Sequence, residues 1–163
     1  MALAMGDAPG AEAVLRAGYE RLAEMGEKAL LADTAAMLAQ VLCEQGRTDE
    51  AFELTREAED AGDADDLSAQ IGWRTVRARL LARGAHLAEA KRLSAEAVEL
   101  AARTDWLSDR ADALLSQGEV LRMAGDAGQA ARAIREAISL YQRKGNEVGA
   151  RRARSVLGAE ASA

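Results

Sequence analysis

The stretch Gly46-Arg47-Thr48-Asp49-Glu50-Ala51 decides the fold, because it recurs. Its counterparts are Gly6-Asp7-Ala8-Pro9-Gly10-Ala11, Gly84-Ala85-His86-Leu87-Ala88-Glu89-Ala90 and Gly125-Asp126-Ala127-Gly128-Gln129-Ala130. Each places a glycine five or six residues before an alanine, and Ala11, Ala51, Ala90 and Ala130 are spaced by 40, 39 and 40 residues. A register held to one residue over three periods marks an internal repeat.

Outward from each alanine the likeness continues. Seven residues later stand Gly18, Ala58, Ala97 and Ala137, a separation that puts two small residues on one helix face. Twelve residues before Ala51, Ala90 and Ala130 stand Ala39, Ala78 and Gly118, and one more period predicts a small residue near position 158, where Gly158 is found. Small residues on a shared face let neighbouring helices approach closely. The unit therefore reads as a helix, a tight turn and a second helix. The turn glycine supplies the left-handed conformation that ends the first helix. Thr48 and Asp126 read as N-caps of the second, with Asp126 and Gln129 as a capping-box-like pair. Pro9 falls in a first helical turn, where a missing N–H costs nothing.

The pattern predicts helices over about 8–25, 29–45, 48–61, 66–83, 87–103, 107–124, 127–144 and 147–160, in one domain over residues 1–163. Turns near Gly26, Gly62, Thr104 and Gly145 separate the pairs. Composition agrees. Apolar residues make up 49% and charged residues 29%, which is globular, and a single proline leaves helices almost uninterrupted. No run alternates Val, Ile, Thr or Tyr as a strand would. A net charge of −6 argues against a general nucleic-acid or anionic-membrane binder. No apolar stretch is long enough to span a membrane. Cys43, the lone cysteine, cannot close an internal disulfide, so a reducing cytoplasmic setting is the simplest expectation.

The glycine, the small residue in the first helix and the two small residues seven apart in the second resemble the tetratricopeptide repeat. The resemblance runs from Gly6 to about Gly158. It implies an all-α fold, an α-α superhelix in which antiparallel helix pairs stack as a solenoid. The chain departs from the family in its period near 40 rather than 34 and in lacking the closing proline. The third unit carries one extra residue between Gly84 and Ala90. Counting from Gly84 sets Trp73 at the family's aromatic position with Val76 and Leu80 inward, whereas counting from Ala90 makes Ala78 the small contact. The first is preferred, because the large residues then face the core. The segment from Ser139 to Arg154 is similar in style to C-terminal repeat regions of bacterial signalling proteins that join ATPase modules to cyclase or transcription-regulator domains.

The resemblance implies a protein or peptide partner held on a concave face of first helices. Asp33, Met37, Gln40 and Glu44 would line it from one unit, Arg74 and Ala78 from the next, and Asp112, Leu115, Glu119 and Arg122 from the third. The competing expectation is a regulatory domain that senses a peptide or small ligand in a pocket between repeats. The pattern opens inside a unit, which implies either a segment of a larger protein or a homodimer formed through the exposed N-terminal helix.

Nothing in the sequence supports catalysis or a cofactor. His86 is a turn histidine without metal-ligand spacing around it, Cys43 has no histidine nearby, and the glycines are spaced singly as helix stops. The acidic runs around Glu57 to Asp66 lack calcium-loop spacing and read as solvated turns. The basic cluster Arg143, Lys144, Arg151, Arg152 and Arg154 reads first as a solvated cap and second as a docking patch for an acidic partner or an RNA.

Overall fold

The computed structural model describes residues 8–158. Among them the chain is all-α. Its helices are α1 (Ala8–Met25), α2 (Lys28–Glu44), α3 (Thr48–Ala61), α4 (Leu67–Arg83), α5 (Leu87–Ala101), α6 (Leu107–Met123), α7 (Ala127–Lys144) and α8 (Glu147–Gly158). Gly6 lies outside the described residues. None of these helices is long and apolar enough to cross a membrane.

The packing order repeats. α2 packs on α3, α4 on α5 and α6 on α7, while α2, α4 and α6 also pack on one another in sequence. α3 touches α4, α5 touches α6, and α1 and α8 extend the two ends against α2 and α7. The small residues sit at these seams. Ala39, Ala51, Ala58, Ala78, Ala90, Ala97, Ala130 and Ala137 are wholly buried, and Ala11 nearly so. Gly118 marks the tightest approach, since a methyl there would lie 2.4 Å from Cγ1 of Ile134. Gly158 is the exception: it is exposed and meets nothing, so its small size is not a packing requirement.

The turns correct three expectations. Gly46 and Gly125 take the left-handed conformation at φ +78° and +86°, as a helix-ending glycine does. In the third unit Gly84 has φ −82° and Ala85 takes φ +63° instead. The turn there counts back from Ala90, not forward from Gly84. Both groups of residues in dispute are nevertheless buried, because α4 is packed by α2, α3, α5 and α6, and every residue from Thr75 to Ala82 is inside. The capping chemistry also differs. Arg47, not Thr48, holds the N-cap of α3; Asp126 does hold the N-cap of α7, but its carboxylate accepts from Lys91 Nζ at 2.6 Å instead of from a helix amide. Side-chain caps occur instead at Asp66, which accepts from the Ala69 amide, and at Asn146, which accepts from the Gly149 amide at 2.9 Å.

Burying α4 on all sides encloses two arginines, and each has an anionic partner. Arg77 donates to Thr55 Oγ1 at 3.0 Å and to Glu59 at 2.5 Å, with its guanidinium 4.4 Å from the Trp73 ring centre. Arg79, only 6% exposed, donates from Nε to Glu119 at 2.7 Å. A buried guanidinium left unpaired would be strongly destabilising, so these pairs fix how α3 and α6 seat on α4.

Candidate functional site

The face shared by α2, α4 and α6 carries a cavity of about 400 Å³. Asp33, Met37, Gln40 and Glu44 recur at three- and four-residue spacing, so they lie on one stripe of α2 and form one wall. Ser68, Ile71, Gly72 and Thr75 do the same on α4 and form the floor. Asp109 and Asp112 come from α6, and Tyr141 rises from the end of α7. Asn146, Val148, Gly149 and Arg152, from the α7–α8 turn and α8, bound the remaining side.

α8 reaches across the whole face. The Arg152 guanidinium donates to Glu44 Oε1, a contact between residues 108 apart in the chain, and lies 3.9 Å from Glu119. Glu44 also accepts from the Gln40 amide at 3.1 Å. The first described pair and the last helix are thereby tied across the cavity.

Deeper in, the Tyr141 hydroxyl donates to Asp112 Oδ1. Burial pushes the Asp112 carboxyl up to about 6, against the opposing effects of the Tyr141 hydrogen bond and the Arg152 charge. The negative charges of Asp109 and Glu44 push it the same way as burial. Burial also raises the Tyr141 phenol, with the Asp112 charge adding to it. Asp33 is raised by burial, against a hydrogen bond from Ser68. Asp109 is raised by burial and by the charge of Asp33. Three half-buried carboxylates, Asp33, Asp109 and Asp112, thus line one cavity, each shifted upward chiefly by burial.

Of the ten residues expected on the binding face, five meet here: Asp33, Met37, Gln40, Glu44 and Asp112. Glu119 stands nearby, holding Arg79 and within 4 Å of Arg152. Arg74 is placed elsewhere. It points toward α5, donating to Glu96 at 3.2 Å and stacking 4.1 Å from the Trp73 ring centre. Arg122 is exposed and does not line the cavity, while Ala78 and Leu115 are core residues. Asp109, Tyr141 and Arg152 line the site without having been expected there. Asp109 was legible as an i,i+3 neighbour of Asp112 on one helix face. Arg152 was read as part of a solvated cap, and only Arg143, Lys144, Arg151 and Arg154 of that cluster are exposed.

Other candidates behave as ordinary structure. His86 is exposed at the start of α5. Cys43 is fully buried, with Arg83 donating to its carbonyl at 2.9 Å. Trp106 is 43% exposed beside a turn, and Val14, Met25 and Leu30 expose apolar side chains on α1 and α2. The sequence matches no family model and no curated protein.

Proposed function

We propose that the chain is a protein-interaction module: a tetratricopeptide-like α-α superhelix that receives a segment of another protein on the α2, α4 and α6 face. On this reading it is one part of a larger bacterial signalling or regulatory protein working in the cytoplasm. The observation that carries it is the meeting of Asp33, Met37, Gln40, Glu44 and Asp112 around one cavity. A helical stripe that mixes an apolar anchor, Met37, with hydrogen-bonding and charged side chains suits an extended peptide better than a flat protein surface. The stepwise packing of α2 on α4 and α4 on α6 supports the solenoid reading.

A second reading has an observation of its own. Because Arg152 ties α8 to Glu44, the cavity is bounded on several sides, and its volume of about 400 Å³ lies within the range of small-ligand pockets. That favours a regulatory domain sensing a small ligand or a short peptide.

The test is peptide selection from a random displayed library on the wild-type chain. Selected peptides should bind the Met37→Glu variant at least tenfold more weakly, and should bind Arg135→Ala, altered on the exposed side of α7, unchanged. Equal binding to wild type and Met37→Glu would remove the concave face from the assignment.

A further inference from the structure

α8 is held differently from the other walls of the cavity. α2, α4 and α6 each pack on three or more helices, and α6 buries Leu114, Leu115, Val120 and Leu121 in doing so. α8 packs on α7 and on no other helix to a like extent. Its buried residues are Ala150 and Ala153, whose methyl groups make a smooth seam without interlocking side chains. Val156 and Leu157 are only half-buried beside them. Two residues join α7 to α8, and one of them, Gly145, takes φ +74° in open space.

Two side-chain contacts fasten α8 to the rest of the face. Gly149 lies flush on the Tyr141 ring, where an added methyl would stand 2.7 Å from Cδ1 and Cε1. Tyr141 in turn donates to Asp112 on α6. The other contact is Arg152, which donates to Glu44 on α2 and lies 3.9 Å from Glu119 on α6. Among the described residues no further hydrogen bond or ion pair joins α8 to α2 or α6. The side chains of Arg152 and Glu44 are 32% and 31% exposed, so water and ions reach the pair. Such pairs are weak and are screened by salt.

The bridge stands where a segment would run. Asp33, Met37, Gln40 and Glu44 form one stripe of α2, and Glu44, at its end, is the residue that Arg152 holds. A polypeptide lying along that stripe meets the bridge. A ligand small enough to fit within the cavity does not.

We propose that α8 is a strap over the groove. Gly145 is its pivot, the Tyr141 ring its seat and the Arg152–Glu44 pair its clasp, and release of the clasp admits a segment to the α2 stripe. This rests on the binding-module reading and adds the regulation of that site. A segment that brings its own partner for Glu44 competes with Arg152, so binding and opening are linked.

The test is a distance measurement on the whole chain. Nitroxide labels on Gln45→Cys at the end of α2 and Ser155→Cys on α8, both exposed positions, report the α2–α8 separation by double electron–electron resonance in a Cys43→Ser background. The otherwise unaltered chain should give one narrow distribution. Arg152→Ala, which removes the clasp, and Gly149→Ala, which lifts α8 off its seat, should each add a population longer by about 5 Å or more, on the order of one helical turn. Arg152→Lys keeps the charge and should stay closed. Narrow, unshifted distributions in both alanine variants would overturn the proposal. Joining Glu44→Cys to Arg152→Cys with a short bismaleimide holds the strap shut. Peptides selected from the library should then associate at least tenfold more slowly than with the same variant left unjoined, and equal rates would also overturn it. If no selected peptide depends on Met37, the binding-module reading fails by itself, and the distance measurement still decides whether the strap opens.

Discussion

Glu12 on α1 and Asp112 on α6 are both partly buried carboxylates, and their surroundings push them in opposite directions. Glu12 accepts from Arg16 at 2.9 Å and from Arg47 at 2.6 Å, and these hydrogen bonds lower its carboxyl to about 2. Arg47 in turn donates from Nε and Nη2 to Glu50 at 2.7 and 2.6 Å, so carboxylates and guanidinium groups alternate along the α1–α3 edge. Asp112 has a phenol for a donor and is pushed up to about 6. The chain carries 21 Lys and Arg residues, so cations are not scarce. They are placed at the edges and in the α4 core, and the cavity is left short of them. Charges that match in number hold helices together. Charges left unmatched in a cavity destabilise the fold slightly.

The contrast is broken hardest at Glu119, which belongs to neither class. It faces the cavity side yet neutralises Arg79, a guanidinium only 6% exposed. Glu119→Ala would leave that charge buried and alone, so a loss of about 3–5 kcal/mol is expected in urea unfolding. A loss under about 1 kcal/mol would mean that Arg79 finds a new partner, and one candidate is Glu44, whose charge already acts on it.

The opposite outcome is expected at Asp112. Its carboxyl sits at about 6 in the folded chain against an ordinary value of 3.8. The folded state therefore holds the proton more tightly than the unfolded state does. Stability falls as pH rises from about 4 to about 6, and the penalty is fully present above that window. The groups acting on it are Tyr141 from α7, Arg152 from α8, Asp109 from α6 and Glu44 from α2. Asp112→Asn keeps an oxygen for the Tyr141 hydroxyl and removes the charge. The variant should gain roughly 2 kcal/mol at about pH 8 and nothing near pH 4, read as the difference in unfolding temperature across that range. No gain at high pH would place the carboxyl at its ordinary value and return the cavity to the same class as the α1–α3 edge.

The helix spans and the seams were legible because both rest on local chemistry. A small residue at Ala51 and another at Ala58 state a helix face and a close neighbour together, and both are wholly buried. The turn at Gly84 misled for a definable reason: an inserted residue moved the left-handed position onto Ala85, which composition does not favour. The α2 wall was legible because Asp33, Met37, Gln40 and Glu44 recur with helical spacing. Arg74 was misplaced because one residue turns a helix by about 100°, and Trp73 takes the inward direction beside it. Arg152 could not be placed from sequence at all. Its contact with Glu44 depends on the angles accumulated over every helix between them, and no local pattern encodes that sum.

The smallest expected effect tests the edge itself. The Glu12 carboxyl lies at about 2 in the folded chain against 4.5 ordinarily, so its contribution is present above about 4.5 and is lost as pH falls through about 2. Glu12→Gln should lower the unfolding temperature by only about 1–2 °C near neutral pH, because exposed pairs are weak. The deficit should vanish in strong acid, where wild type has lost the same charge. It should also shrink at about 0.5 M salt, since ions screen a surface pair. The gain from Asp112→Asn should shrink less in that salt, because it comes from the cost of burying the carboxylate more than from an exposed ion pair. A salt-insensitive deficit at Glu12 would show that the edge is as shielded as the cavity, and that the two sets of carboxylates differ in their partners alone.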